Sequence, residues 1–95
     1  MPNQQQSSAN RTIEWAPYTL KDGIDESDLI QAATDVETQF LKQQPGYLQR
    51  QLLKGKDNQW VDLVFWQSEQ AAAQAGHSIM QSPFCLKYFA MMQEM

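Results

Sequence analysis

This sequence of 95 residues is short of the side chains that most often build metal centres and nucleophilic dyads, with one cysteine and one histidine. Cys85 has no second thiol to pair with, so an internal disulfide is excluded. His77 has no histidine or Cys-His pattern beside it, which leaves a metal site without support. Basic residues are also scarce: seven Lys and Arg stand against eleven Asp and Glu, for a net charge of -4. The cations are scattered rather than clustered, and nucleic-acid binding needs a basic face, so no nucleic-acid partner is expected. No apolar run approaches the ~18–20 residues of a membrane span. The first residues lack the apolar core of a signal peptide. The expectation is a cytoplasmic protein with no membrane partner.

With only four prolines and four glycines, each one marks a boundary. Residues 1–11, MPNQQQSSANR, hold no large apolar residue after Met1 and read as a flexible tail. Residues 12–95 then form one domain. A chain this short buries only about 60–65% of its unfolded surface, so extra burial in an oligomer would help it. "TIEWAPYTL" from Thr12 is rich in strand formers, and Pro17 confines it to an edge or a bulge. After the "KDGIDESD" turn, Asp25 or Ser27 can cap a helix whose Leu29, Ala33, Val36 and Phe40 form one apolar stripe. Pro45-Gly46 stops that helix. "YLQRQLLK" and "QWVDLVFW" are two strands joined by the hairpin loop "GKDN". Ser68 caps a helix with the small face Ala72, Ala75 and Ile79. Ser82-Pro83 restarts it with Phe84, Tyr88 and Met91.

The order is βαββα, an α+β class with no internal repeat. Right-handed crossovers place the helices on one face of an antiparallel sheet. Side chains of the third strand alternate, so Trp60, Asp62, Val64 and Trp66 line one side and Val61, Leu63 and Phe65 the other. Both sides are apolar except for Asp62. Helices cover one side, and the same sheet of a second copy is the economical cover for the other, which implies a homodimer. Asp62 itself requires a partner, a shifted pKa or a function. Arg50 is the nearest cation on the neighbouring strand. If paired residue numbers across the hairpin sum to an even number the two share a face, and if odd they do not. In the first case a buried pair fixes the register. The alternatives are a catalytic or ligand-anchoring role for Asp62, or simple exposure.

Pro45-Gly46-Tyr47, Arg50, Leu52, Trp60, Asp62, Trp66 and Ser82-Pro83-Phe84 together resemble the antibiotic biosynthesis monooxygenase-like group of the dimeric α/β-barrel superfamily. The likeness runs from about Thr12 to Met92. It implies a ferredoxin-like monomer whose sheet packs on a partner's sheet in a dimeric barrel. It also calls for a fourth strand, and "AMMQEM" does not read as one. In the group's strand order 4-1-3-2, its loss leaves the first strand at an edge, where Pro17 is tolerated.

The resemblance further implies two chemistries. Haem-degrading relatives use an Asn on the first strand, a Trp ending the third and a His on a later helix. Trp66 matches the Trp, but the other two positions fall near Ala16 and Tyr88, so haem degradation is not expected. Cofactor-independent members form quinones in a pocket between sheet and helices. Trp66, Tyr18, His77 and Tyr88 are candidates to line such a pocket, with Asp62 and Arg50 as its charged pair, no cofactor, and a small aromatic or quinol ligand. Each candidate has a plainer reading. His77 fits a surface histidine, Cys85 a small buried hydrophobe, and Trp60 and Trp66 ordinary core or interface residues. A non-catalytic ligand-binding or stress-associated module with the same fold is therefore the alternative to an enzyme. An RNA-binding βαββαβ module is disfavoured, because the third strand carries Asp62 in place of a basic-Gly-aromatic signature.

Overall fold

The computed structural model describes residues 11–93; apart from Arg11, the expected N-terminal tail lies outside the described residues. The elements are β1 (Thr12–Thr19), α1 (Glu26–Gln39), β2 (Tyr47–Lys54), β3 (Gln59–Trp66), α2 (Glu69–Ser78) and α3 (Pro83–Phe89). Short 3-10 turns, Leu41–Gln43 and Ile79–Gln81, follow α1 and α2. The sheet has three strands in the order β1-β3-β2, both pairings antiparallel. This is the α+β, ferredoxin-like arrangement expected, with β1 at an edge. No described helix is long and apolar enough to cross a membrane.

Local chemistry explains most of the boundaries. The hydroxyl of Ser68 accepts from the Ala71 N–H at 3.1 Å, and that of Ser82 from the Cys85 N–H at 3.3 Å, with Pro83 in the first turn of α3. Asp25 occupies the N-cap of α1 without a side-chain cap bond, so its part there is limited to the acidic first turn it forms with Glu26 and Asp28. The hairpin closes through left-handed backbone at Asp57 (φ 52°) and Asn58 (φ 67°), residue types that tolerate it.

Burial follows the alternation of the strands. Trp60, Asp62, Val64 and Trp66 are all buried, packed with Leu29, Ala32, Ala33, Val36 and Phe40 of the α1 region and with Ala75, Cys85 and Tyr88. On the opposite face Ile13, Trp15 and Leu53 are 59%, 65% and 45% exposed. Leu20 N–H bonds to the Asn58 carbonyl, so the even residues of β1 bond toward β3 and the odd ones, Pro17 included, point outward. The missing N–H of Pro17 therefore costs no ladder bond. Beyond Pro17, the Gln93 N–H donates to Thr19 O at 2.8 Å and the Lys21 N–H to Met91 O at 2.9 Å. Among the described residues, this bridge of Leu20 with Met92 is all that stands in the place of a fourth strand.

Two irregularities set up the helix-facing side. The β2–β3 register shifts between Tyr47 and Gln49. Gln49, Gln51 and Leu53 oppose Phe65, Leu63 and Val61, yet Tyr47 opposes Trp66, so the extra residue turns Tyr47 to the helix side. Its ring meets Trp66 edge-on at 6.0 Å. Just before it, Gly46 has φ 85°, and a Cβ there would lie 2.5 Å from Cβ of Ala71. Gly46 is thus required twice, by backbone conformation and by the close approach of α2. Gly23, with φ 87° and open space around it, separates the two effects. In denaturant titrations Gly23→Ala should cost about 1 kcal/mol, the conformational term alone. Gly46→Ala should cost a further ~1–3 kcal/mol from overpacking.

Candidate functional site

Leu52 opposes Asp62 and Arg50 opposes Val64 across the hairpin, the register in which Arg50 and Asp62 share the helix-facing side. They meet in a two-pronged contact: Arg50 Nε donates to Asp62 Oδ1 at 2.6 Å and Nη2 to Oδ2 at 3.0 Å. The third nitrogen, Nη1, donates to the Ala33 carbonyl of α1 at 2.9 Å and lies 3.6 Å from the Glu37 carboxylate. Tyr88 of α3 donates its O–H to Asp62 Oδ2 at 2.8 Å and holds its ring 5.6 Å from the guanidinium. Tyr18 of β1 lies 2.8 Å, oxygen to oxygen, from Tyr88. Since the Tyr88 proton is directed at Asp62, Tyr18 is the donor in that bond. The network ties β1, β2, β3, α1 and α3 together.

Beside it lies a cavity of about 120 Å³ between sheet and helices. Asp62 and Tyr88 form part of its lining, with Trp66, Glu14, Ala75 and Cys85 among the other wall residues. The Trp66 indole N–H donates to Glu14 Oε1 at 2.8 Å. Trp66 is 1% exposed, whereas Glu14 reaches solvent, so the carboxylate stands at the edge of the cavity.

Burial governs the electrostatics. Desolvation alone would lower the Arg50 pKa, but hydrogen bonding to Asp62 and its charge outweigh that and raise it above the usual arginine value. Burial, then the nearby Asp62 charge, push the Tyr88 phenol above the usual tyrosine range. Burial likewise raises Tyr18 and Tyr47. The Cys85 thiol is also raised, chiefly by burial, and stays a poor nucleophile. Among the described residues no group of three His, Cys, Asp or Glu could hold a metal ion.

The candidates from sequence therefore separate. Asp62, Tyr88 and Trp66 line the cavity, while Tyr18 and Arg50 reach it only through the network. His77 is exposed on α2 and does not line the cavity. Ala16 and Tyr88 both line the cavity. Sequence reasoning missed Glu14. Its signal was an acidic residue in an apolar strand, two positions from Ala16 and four from Tyr18, hence on their face.

No protein-family profile matches the chain, and no curated protein matches it in sequence. Solved structures do match. SnoaB, a cofactor-independent oxygenase from Streptomyces nogalater, superposes with a TM-score of 0.75 at 17% identity, over 88% of this chain and 85% of that one. A proposed antibiotic biosynthesis monooxygenase from Caulobacter crescentus gives 0.68 at 13% identity, over 100% and 91%. One from Nitrosomonas europaea gives 0.67 at 13%, over 90% and 83%. The chain has the antibiotic biosynthesis monooxygenase fold. At these identities the likeness concerns architecture, and within that fold the Arg50–Asp62–Tyr88–Tyr18 network and the cavity are features of this chain's own side chains.

Two predictions follow from the network. Asp62→Ala leaves a buried guanidinium unpaired and should cost roughly 3–5 kcal/mol, much of it recovered when Arg50→Met is added. Additive losses in that cycle would mean the two groups do not interact. The second concerns pH. Below about pH 10 the tyrosines are protonated in folded and unfolded chain alike and their full contribution is present. Above it the unfolded chain ionises first, so stability should fall as pH rises. Phenolate absorbance should then appear together with loss of folded circular dichroism rather than before it.

Proposed function

We propose that this chain is a homodimeric, cofactor-independent oxygenase of the antibiotic biosynthesis monooxygenase fold, acting on a small hydroxylated aromatic molecule. The observation that carries this reading is the apolar cavity with carboxylates and a phenol in its wall. Its ~120 Å³ falls below the ~300–1,000 Å³ of drug-sized sites and near the ~150 Å³ of a cavity known to take benzene. A single ring is the appropriate size. Trp66 and Phe89 supply aromatic walls, and Val36, Phe40, Leu41, Val64 and Ile79 help exclude water.

The chemistry asked of the residues is modest. Glu14, fixed by the Trp66 N–H, takes the proton of the bound hydroxyl, and the electron-rich ring anion reduces molecular oxygen. One oxygen atom enters the ring, the other leaves as water, and a hydroxyarene with O2 gives a quinone and water. The Arg50–Asp62–Tyr88 cluster holds the wall in place.

The homodimer rests on the open face of the sheet, where Ile13, Trp15 and Leu53 are exposed beside half-buried Val61, Leu63 and Phe65. Light scattering at low micromolar concentration should give about twice the 10.9 kDa chain mass, and Trp15→Asp should return it to the monomer value.

A second reading, a non-catalytic ligand-binding module, is favoured by one observation. Among the described residues no buried side-chain nitrogen or oxygen lacks a hydrogen-bond partner, so the network closes on itself without a ligand. Oxygen uptake decides between the two. With single-ring hydroxyarenes the protein should consume oxygen faster than buffer alone, and Glu14→Gln should remove most of the excess. Saturable binding with no excess uptake would establish the second reading.

A further inference from the structure

The lining of the cavity is unevenly buried. Its floor and back, Asp62, Val64 and Trp66 of β3 with Val36, Phe40 and Leu41, are closed off from solvent. Among the described residues only four of the lining are exposed: Glu14 and Ala16 on β1, Gly76 on α2 and Phe89 at the end of α3. Ile79, in the turn between the two helices, is half-buried. These residues mark a mouth, with β1 as one lip and the α2–α3 junction as the other. Because α2 packs against both β1 and β3, the lips lie close together. Two lip residues have almost nothing to close it with. Ala16 carries a methyl group and Gly76 no side chain at all. Gly76 lies beside the inward stripe of Ala72, Ala75 and Ile79, and a Cβ placed on it would meet nothing within 4 Å. The Cys85 thiol, 1% exposed, belongs to the interior wall.

We propose that small molecules enter the cavity between the β1 edge and the α2–α3 junction, and that Ala16 and Gly76 are the residues that set what can pass. The proposal goes beyond the oxygenase reading, since an entrance serves a substrate and a merely bound ligand alike. Other routes are barred by bonds. Arg50 ties β2 to Asp62 of β3 and to the Ala33 carbonyl of α1, and Tyr88 ties α3 to Asp62. A molecule passing there would have to part a buried ion pair and its hydrogen bonds. Passage between Ala16 and Gly76 breaks no side-chain contact of either residue. The mouth also stays clear of the sheet's open face. Glu14 and Ala16 alternate with Ile13 and Trp15, whose side chains lie on the other side of the strand, so a second copy packed on that face leaves the entrance uncovered.

Cys85 is the single cysteine of the chain, so its modification reports entry. Methyl methanethiosulfonate is small and uncharged. The Cys85 thiolate attacks its sulfenyl sulfur, a methyl disulfide forms and methanesulfinate leaves. At one fixed pH, the folded chain should be labelled about a hundredfold faster than global unfolding alone permits, judged from the rate in the unfolded chain and the unfolding equilibrium constant. Gly76→Leu should slow that labelling about tenfold without lowering the denaturant midpoint, since the change favours the helix and meets open space. Ala16→Leu, on the facing lip, should act in the same direction. His77→Leu, an exposed neighbour on α2 outside the lining, should leave the rate within about twofold. With benzyl methanethiosulfonate, which carries one ring, the slowing by Gly76→Leu should be larger still. Labelling no faster than unfolding permits would overturn the entrance, as would a Gly76→Leu rate equal to that of His77→Leu. Neither reagent calls on oxygen chemistry, so failure here leaves the oxygenase reading to be judged by oxygen uptake.

Discussion

A guanidinium and a carboxylate are buried together between a sheet and its helices, and the rest of the structure is arranged around keeping them paired. Arg50 and Asp62 have side chains 4% and 12% exposed. Burying two such ions carries a desolvation penalty of several kcal/mol each, offset only by close geometry and further hydrogen bonds. The structure provides both. Each carboxylate oxygen accepts from Arg50, Tyr88 adds a third bond, and Ala33 occupies the outer guanidinium nitrogen. The gain is specificity more than net stability. A one-residue slip of β2 against β3 would carry Arg50 to the open face and strand Asp62.

The same pairing shapes the candidate site. Asp62 belongs at once to the network and to the cavity wall, so whatever holds its orientation also sets the polarity of the cavity. Tyr88 brings α3 down onto the sheet and spends its proton on Asp62. Tyr18 then spends its own on Tyr88, which joins the edge strand to the buried centre. Glu14 and Trp66 form a smaller pair across β1 and β3, and the bulge before Gln49 turns Tyr47 onto the Trp66 ring. A ferredoxin-like scaffold thereby acquires a small cavity.

The sequence carried the strand alternation, the two serine caps and the edge position of β1 openly, because each depends on nearest neighbours and on fixed periodicities. It raised the question of Asp62 without resolving it, since the hairpin register depends on how Asp57 and Asn58 turn the chain. Tyr88 was legible as an apolar-stripe residue, but its hydroxyl's partner lies across the core from a helix that propensity alone cannot aim. The bulge at the start of β2 and the contact of Gly46 with α2 are tertiary in origin. Glu14 was passed over because an acidic residue in an edge strand is ordinarily a solvated one. His77 shows the converse, a chemically capable side chain that helix geometry leaves in solvent.

The most direct measurement of the central pairing is the side-chain NMR signal of Arg50. A guanidinium fixed by Asp62 and Ala33 should give an Nε–H resonance shifted from that of the surface arginine Arg11, exchanging slowly with solvent and showing Overhauser contacts to the Tyr88 ring protons. An Arg50 signal averaged and fast-exchanging, like that of a solvated arginine, would contradict the buried pair and the arrangement of the cavity built on it.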